Sequence, residues 1–418
     1  MTALLAYKHP PHIRLSGRGS TAATFMDEYT GDQTLTSIWL NYSLTRQITP
    51  ALRRRLRQLY PEPEQLRAFL SSPKPQLQTG QTQFDQDATA ALGAMQSTEI
   101  ISRVQEAILW QNQSPDHHII GQDHPAYPTL LLSTSNAPPV LYVKGDLISL
   151  DSPCVAIVGA RKASHAALEQ TAHIAHELAS SGVTIVSGLA LGVDAAAHQG
   201  ALNGSGQTIA VSATGPERIY PRAHQRLASD IQASGAIVTE FALHNTLQTH
   251  CFPRRNRIIS GMSLGVLVVE AALPSGTLTT AQHALRQGRE VMAMPGSIHN
   301  PLTRGCHDLI KSGAALVENT DDILACLQTD LERHLIDRKP PQSKQIPTPE
   351  TKKLTNIPPD ALTLLDCLGF DPVSVDTLVR RSGLDTAQVC GTLTHLEISG
   401  LIAVDHGGRY TRCKTSQK

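Results

Sequence analysis

The chain has 418 residues, of which 40% are hydrophobic, and its 36 lysines and arginines balance 36 aspartates and glutamates. This length predicts two to four domains of roughly 100–200 residues each. Because the formal net charge is zero and the pI is about 7.3, any anion-binding surface must be a local concentration of basic residues. The composition therefore neither supports nor excludes nucleic acid as a partner.

The cysteine spacing and the N-terminus indicate the compartment. Seven cysteines form no C-x-x-C pair, which is typical of reduced thiols in a cytoplasm and argues against a metal site. The first apolar stretch has four residues, fewer than the roughly 7–15 of a signal peptide, and no segment approaches a membrane span of about 20. We predict a soluble cytoplasmic protein without membrane contact, metal or cofactor.

The N-terminal part predicts a small helical domain. Residues 1–34 are polar and aperiodic, so we expect a poorly ordered extension. Residues 35–113 show short helical patterns, with Thr49 predicted to cap a helix that starts at Pro50. A Gln- and Thr-rich insertion at 76–90 precedes a further helix, TEIISRVQEAILWQN. Short helices with tight turns resemble a sterile-alpha-motif or helix-hairpin-helix domain.

Four arginines cluster on one predicted helix of this domain, at positions 53, 54, 55 and 57. Helical modules of this kind can hold a DNA backbone, and this is one interpretation. The other is a solvated helix face, which is what a run of charges usually forms. We favour the solvated face.

Residues 114–330 predict an α/β domain. From Cys154 onward, near-continuous apolar runs alternate with amphipathic helices, and Gly182 closes the first of these helices. Buried strands separated by helices indicate a doubly wound, mostly parallel sheet, the nucleotide-binding architecture. The predicted strands are CVAIVGA, VTIVSG, TIAVSATG, AIVTEF, VLVVEA and EVMAMPG.

The C-terminal part predicts a linker and a winged helix. Residues 331–357 are rich in Pro, Lys and Thr, which is typical of an extended linker. Residues 358–418 follow the order of three helices and two strands, with Gly383 in the turn and His406-Gly407-Gly408 at the hairpin tip. The candidate recognition helix, DTAQVCGTLTHLEISG, contains no Arg or Lys. A role in protein interaction is therefore favoured over DNA reading.

Glycine and hydroxyl residues follow three of the predicted strands. Ligands of parallel α/β sheets bind beyond the carboxyl ends of the strands, where glycine permits close backbone approach. The residues at these ends are Gly159 with Arg161, Ser187 with Gly188, and Ser275, Gly276 and Thr277.

The segment FPRRNRIISG carries Arg254, Arg255 and Arg257 without a carboxylate, and we expect it at the mouth of the buried strand VLVVEA. Arg255 and Arg257 are predicted to converge near the glycine loops, with Arg161 and Arg222 on the same rim and Phe252 as a stacking face. Arginines beside an aromatic ring suit a polyanion whose bases stack. The alternative for Arg255 or Arg257 is a structural ion pair with Glu240 or Glu270.

Two enzymatic motifs are missing from the sequence, which contains no G-x-x-x-x-G-K-[ST] and no G-x-G-x-x-G on the first strand. These absences argue against an ATPase and against ordinary NAD binding. Glu240 and Glu270, at strand ends, are the best acid-base candidates. Asp194 and His198 lie four residues apart on a predicted helix, and we interpret them as a local helix pair.

The order of motifs resembles the DprA/Smf family of bacterial DNA-processing proteins. The motifs are VAIVGARKAS, VSGLALGVDAAAH, IYPRAH, FPRRNRIISG, VLVVEAALPSGTLTTAQHAL and GREVMAMPGSIHNP, within residues 120–325. The resemblance implies an extended Rossmann fold that binds single-stranded DNA, forms homodimers, protects incoming DNA in natural transformation and loads the RecA recombinase against single-strand-binding protein. The implied DNA-binding residues are Gly159, Arg161, Ser187, Gly188, Arg222, Phe252, Arg254, Arg255, Asn256, Arg257, Ser275, Gly276 and Thr277.

The alternatives are a nucleotide phosphoribohydrolase and a transcription regulator. Nucleotide phosphoribohydrolases on a similar scaffold carry P-G-G-x-G-T-x-x-E, whereas the corresponding stretch here is PSGTLTTAQ, with Gln282 where the acid would stand. A transcription regulator that acts through the winged helix is disfavoured by the lack of basic residues on its recognition helix. We therefore predict a protein that is not an enzyme.

Overall fold

The computed structural model describes residues 35–72, 82–337, 361, 364, 367–368, 373–398, 402–404 and 409–412. The chain divides near residue 340 into two compact units. The predicted extension at 1–34 and the predicted linker from 338 onward lie outside the described residues. Within the described part, no helix has both the length and the apolar character needed to cross a membrane.

Five helices come before the first strand in the described chain. Together with the first two strands, which are antiparallel, they form a hydrophobic core. Thr49 caps the second of them as predicted, because its hydroxyl accepts the Leu52 N–H at 3.3 Å. Trp39, Leu56 and Trp110 are buried together with residues of the first two strands. The helices are α1 at 35–44, α2 Pro50–Leu59, α3 Pro63–Leu70, α4 Thr82–Gly93 and α5 Thr98–Gln111.

The insertion predicted at 76–90 is in part a helix. Helix α4 begins at Thr82, and Ala88, Ala91 and Leu92 on it are buried against the helical core. Their spacing of three and four residues places them on one face of a helix. The high content of Gln and Thr concealed this short apolar stripe.

Nine strands of the described residues form one sheet in the order β1-β2-β6-β5-β4-β3-β7-β8-β9. Strands β3 to β9 are parallel, and β1 and β2 extend the sheet as antiparallel strands. The predicted mostly parallel α/β fold is confirmed. The strands are β1 His117–Gly121, β2 Val140–Gly145, β3 Cys154–Gly159, β4 Thr184–Ser187, β5 Thr208–Val211, β6 Ala236–Thr239, β7 Gly265–Val269, β8 Glu290–Ala293 and β9 Ala315–Leu316.

The strand order reverses between β3 and β7, since the chain proceeds from β3 through β4 and β5 to β6 on one side and from β7 to β9 on the other. Such a reversal opens a crevice at the carboxyl ends of the two central strands. The helices around the sheet are α6 Thr129–Leu132, α7 His165–Ser180, α8 Val193–Asn203, α9 Gln225–Ser234, α10 Cys251–Met262, α11 Thr277–Arg286, α12 Arg304–Lys311 and α13 Thr320–Asp337.

Two features of this unit differ from the sequence-based expectation. The segments that form β1 and β2 were not predicted as strands, because they lie outside the regular strand–helix alternation. Helix α13 continues to Asp337, so the linker does not begin at residue 331. Its apolar positions Leu327 and Leu331 are buried on the sheet unit, which extends the helix into the polar stretch.

The C-terminal unit has the predicted winged-helix fold. Gly383 ends its first fully described helix at φ 70°, a left-handed conformation that glycine adopts at low cost. A short strand, β10, pairs with β12 and was missed because it has only two residues. The hairpin tip at 406–408 lies outside the described residues. The elements are β10 Val373–Ser374, α14 Val375–Ser382, α15 Thr386–Ile398, β11 Ile402–Val404 and β12 Arg409–Arg412.

Candidate nucleic-acid interface

Gly159, the last residue of β3, lies at the strand reversal and allows the adjoining backbones to approach closely. A Cβ atom at this position would lie 1.9 Å from the Val269 carbonyl oxygen, so the adjoining backbones leave room only for glycine. The Thr277 hydroxyl donates to the Gly159 carbonyl at 3.0 Å. This bond attaches the start of α11 to the end of β3.

Ser187 and Gly188, at the end of β4, form the floor of the crevice. The Ser187 hydroxyl is buried and donates to the Ile157 carbonyl at 2.6 Å. The Gly188 N–H donates to the Asp194 carboxylate at 3.1 Å, and the Ala190 N–H donates to the same oxygen at 3.3 Å. These polar groups are therefore engaged within the protein and shape the crevice.

The segment FPRRNRIISG forms most of helix α10, which ends just before the buried strand β7. Its buried residues Arg255, Asn256, Ile258, Ile259 and Met262 follow helical spacing. Pro253 lies in the first turn, where its missing N–H costs no helical hydrogen bond. As a consequence, Arg254 and Arg257 lie on one face of the helix, whereas Arg255 is buried on another, and the three do not converge on one ligand site.

Arg255 is buried beneath the crevice, with 4% of its surface exposed. Its Nη1 donates to the Val211 carbonyl at 3.2 Å. A Cβ on Gly188 would lie 1.4 Å from this Nη1 atom, so the guanidinium packs directly against the glycine. Burial lowers the pKa of Arg255, and the Asp194 charge opposes that effect. Burial likewise raises the pKa of Asp194, against the effect of Arg255. Among the described contacts, the guanidinium forms no ion pair with Glu240 or Glu270, and Asp194 is the opposite charge that most favours its charged form.

Glu240 joins the other two arginines of α10. Its carboxylate lies 2.5 Å from Nη2 of Arg257 and 3.4 Å from Nη2 of Arg254, and its side chain is 4% exposed. Arg257 also donates to the Asn136 carbonyl. The alternative interpretation, a structural ion pair with Glu240, is thus confirmed for Arg257.

The exposed rim of the crevice combines cations with aromatic rings. The guanidinium of Arg161 lies 5.1 Å from the centroid of the Phe252 ring. The Tyr220 ring lies 6.0 Å from Phe252, and 46% of Tyr220 is exposed. Arg222 is exposed in the turn after β5. Sequence reasoning missed Tyr220, although an aromatic residue in a loop after a parallel strand was a usable signal.

The third strand end lies at the start of α11. The Asn256 amide donates to the Thr279 hydroxyl at 2.8 Å and to the Gly276 carbonyl at 3.3 Å. The Thr277 N–H donates to the Ser275 hydroxyl at 3.1 Å. Asn256 therefore positions this loop, whereas Gly276 is exposed to solvent.

The candidate acid-base residues are held in structural contacts. Glu270 accepts from the Ser164 N–H at 2.8 Å, the Ser164 hydroxyl at 2.7 Å and the Asn300 amide at 2.9 Å. Glu240 is engaged by two arginines, as described above. Gln282 is exposed on α11. Both glutamates are therefore engaged in structural contacts, with Oε1 of Glu240 buried and without a hydrogen-bond partner among the described residues.

The predicted pair of Asp194 and His198 is wrong. Asp194 binds the backbone N–H groups above, and Nδ1 of His198 lies 2.7 Å from the Thr208 hydroxyl. Because Thr208 donates its proton to the Ile185 carbonyl at 2.8 Å, it accepts from Nδ1 of His198. Both side chains are buried, so each binds the neighbouring strand or loop and not its helical neighbour.

A doubly wound sheet with glycines at its strand reversal and an arginine–aromatic rim defines a Rossmann-like protein with a basic ligand crevice. The chain belongs to the DNA recombination-mediator protein A family, whose family model matches residues 118–328. A second model, the DprA winged helix domain, matches residues 340–408.

Individual relatives agree with this membership. The chain is 43% identical to protein Smf of Escherichia coli over 318 residues, which is 74% of this chain and 81% of that protein. It is 42% identical to DNA processing protein DprA of Streptococcus pneumoniae over 199 residues, 48% of this chain and 70% of that protein. The X-ray structure of the Streptococcus pneumoniae protein superposes with a TM-score of 0.56 at 33% identity, covering 68% of this chain and 97% of that one.

Proposed function

We propose that this protein binds single-stranded DNA in the crevice, protects the incoming strand in natural transformation, and loads the RecA recombinase onto it. The observation that carries the proposal is the exposed stack of Arg161 on Phe252 beside Tyr220. Aromatic rings stack on bases of any sequence, and guanidinium groups bind phosphates. Such contacts position a strand without reading its sequence.

The proposed residues divide into two groups by exposure. Those that contact DNA are Arg161, Arg222, Phe252, Ser275, Gly276 and Thr277. Those that shape the crevice are Gly159, Ser187, Gly188, Arg255 and Asn256. Arg255 acts through its charge below the floor, because positive potential is stronger in a buried, low-dielectric environment than in water. Arg254 and Arg257 extend the basic surface along α10.

The proposed activity is binding and not catalysis. Glu240 and Glu270 are engaged in structural contacts, and the α11 position that carries an acid in phosphoribohydrolases is Gln282. Membership of a family described as recombination mediators supports RecA as the partner. We propose that a cytoplasmic homodimer carries out this role in competition with single-strand-binding protein.

A salt titration tests DNA binding. We expect tight, salt-sensitive binding of fluorescent oligo-dT and weaker binding of a duplex of equal length. Phe252→Ala should weaken binding of the single strand, since stacking contributes about 1–3 kcal/mol per base. Arg161→Ala should also reduce the salt slope by about 0.7. Arg333→Ala, which changes an exposed arginine on α13, is the matched control. Equal affinity of wild type and Phe252→Ala for oligo-dT would exclude the crevice as the binding site.

Recombinase loading needs its own assay. RecA filament formation on DNA coated with single-strand-binding protein should start sooner when the wild-type protein is added. Arg161→Ala should lose this effect. An unchanged lag with wild-type protein, under conditions in which it binds the DNA, would contradict the role in loading.

A further inference from the structure

A cleft of about 760 Å³ lies between the helical region, residues 35–111, and the sheet, and it is distinct from the crevice. Its lining includes one carboxylate, Glu240, among the described residues. In a chain whose formal net charge is zero, this is a strong local excess of positive charge. The arginines of the lining are Arg46, Arg53, Arg54, Arg57, Arg103, Arg254 and Arg257.

Some of these arginines already have protein partners. Arg57 donates to the carbonyls of Leu132 and Thr134 at 2.7 and 2.9 Å. Arg53 donates to the Ser43 carbonyl at 2.9 Å. Arg254 and Arg257 share Glu240, as described above. These four hold the helical region, the 132–136 loop and α10 in place around the cleft.

The other three guanidinium groups remain for a ligand. Within the residues that the structure describes, no hydrogen bond or ion pair joins Arg46, Arg54 or Arg103 to the protein. Arg46 and Arg54 are exposed, and Arg103 is half-buried. Guanidinium groups that converge on a cleft without carboxylates of their own are typical of sites for phosphate or carboxylate anions.

The wall of the cleft also contains a donor that lacks an acceptor. Nε of Arg53 is buried and has no hydrogen-bond partner among the described residues. Burial lowers the pKa of Arg53; Tyr42 and Glu240 oppose this effect, and the charges of Arg254 and Arg257 add to it. An anion in the cleft would offset this crowding of positive charge.

The lining indicates which part of a nucleic acid would bind. Among the described residues, no tyrosine or tryptophan lines the cleft, and its phenylalanine, Phe241, is 4% exposed, with the Arg254 guanidinium 5.1 Å from the ring centroid. The half-buried imidazole of His283 is the other aromatic ring of the described lining, so the cleft offers a base little to stack on, whereas phosphate oxygens find several donors. Recognition in this cleft would be confined to the backbone of a strand.

Helix α10 connects the cleft to the crevice. Phe252 and Asn256 contact residues of the crevice, and Pro253, Arg254 and Arg257 line the cleft. We propose that the cleft binds backbone phosphates of the same single-stranded DNA whose bases stack in the crevice. This inference rests on the proposed function and adds a second segment to the DNA path.

The test compares two substitutions on the wall of the helical region with a neighbouring control. Arg46→Gln/Arg54→Gln removes two unpartnered charges from the cleft. Arg55→Gln is the control. Arg55 lies beside Arg54 on α2, is exposed, contacts Gln58 and does not line the cleft. Binding of the full chain to oligo-dT of about 6 and about 25 nucleotides is measured against salt, since single sites cover roughly 4–16 nucleotides.

The expected result is a change on the long strand only. The double substitution should reduce the salt slope on the long oligonucleotide by about 1.4, two contacts at about 0.7 each. Between 50 and 200 mM salt this is about a sevenfold difference in affinity. Arg55→Gln should keep the wild-type slope, and all three proteins should bind the short oligonucleotide equally.

The outcomes separate this inference from the proposed function. An unchanged slope on the long strand, with normal binding of both oligonucleotides, overturns the cleft and leaves the crevice intact. Weaker binding of Arg161→Ala to both lengths, together with the reduced slope of the double substitution on the long strand, supports the crevice and the cleft as two segments of one DNA path. If wild type binds inorganic tripolyphosphate, the double substitution abolishes this, and the DNA slope does not change, the cleft holds free polyphosphate and the DNA path is refuted.

Discussion

Replacing Arg255 by Met should destabilise the sheet unit, because it leaves a buried carboxylate without its balancing charge. Arg255 is 4% exposed and Asp194 is 6% exposed. In the described chain the two groups form no direct ion pair, but each is the main opposite charge acting on the other. Leaving a buried charge uncompensated costs up to about 3–5 kcal/mol. Asp194 keeps its two backbone N–H donors, so we expect a loss near the lower end, about 3 kcal/mol. Arg161→Met, which changes an exposed arginine of the same crevice, should stay within about 0.5 kcal/mol.

A double-mutant cycle measures the coupling directly. Urea unfolding of wild type, Arg255→Met, Asp194→Asn and the double variant is followed by far-UV circular dichroism at pH 7. The double variant should be more stable than the sum of the single losses predicts, by about 2 kcal/mol, since no buried charge remains.

The pH dependence gives a second measurement. Burial raises the pKa of Asp194, and the loss of Arg255 should raise it further. A carboxyl whose pKa is higher in the folded than in the unfolded state stabilises the fold relatively as it takes up a proton. The deficit of Arg255→Met should therefore shrink as the pH falls from neutral towards the ordinary carboxyl pKa.

One result would refute this reasoning about Arg255. If Arg255→Met costs less than about 1 kcal/mol, the buried pair contributes little to stability. If the same variant reduces the salt slope of binding to single-stranded DNA by about 0.7, Arg255 contacts a phosphate directly. Together these outcomes would place its guanidinium in the ligand site and not beneath it.

Three further substitutions test other parts of the fold. Gly159→Ala should cost about 1–3 kcal/mol in urea unfolding, because its Cβ would meet a backbone carbonyl, whereas Gly276→Ala, in open space, should keep wild-type stability. Burial lowers the pKa of His198 to about 3, so wild-type stability should fall as the pH drops from about 6.5 towards 3, and His198→Gln should flatten this decline in acid titrations. Thr49→Ala should cost about 1 kcal/mol through loss of the α2 cap, with Thr49→Ser close to wild type in the same assay.

Short sequence patterns were sufficient to predict the α/β class and the helix that Thr49 caps. Buried parallel strands appear as continuous apolar runs, and a threonine before Pro50 is a local helix start, so neither depends on distant residues. The strands β1 and β2 escaped prediction, because antiparallel strands at one edge are specified by their pairing and by packing on Trp39 and Trp110.

The surroundings of the three arginines of α10 are visible only in the tertiary structure. The sequence by itself determined that Arg254, Arg255 and Arg257 lie together in a segment without carboxylates, beside glycine-bearing strand ends. It did not determine that the segment is a helix, which turns successive side chains by about 100° and so sends neighbours to different surfaces. Whether an arginine faces a buried Asp194, a shared Glu240 or open solvent depends on charges that are distant in sequence and brought together by folding.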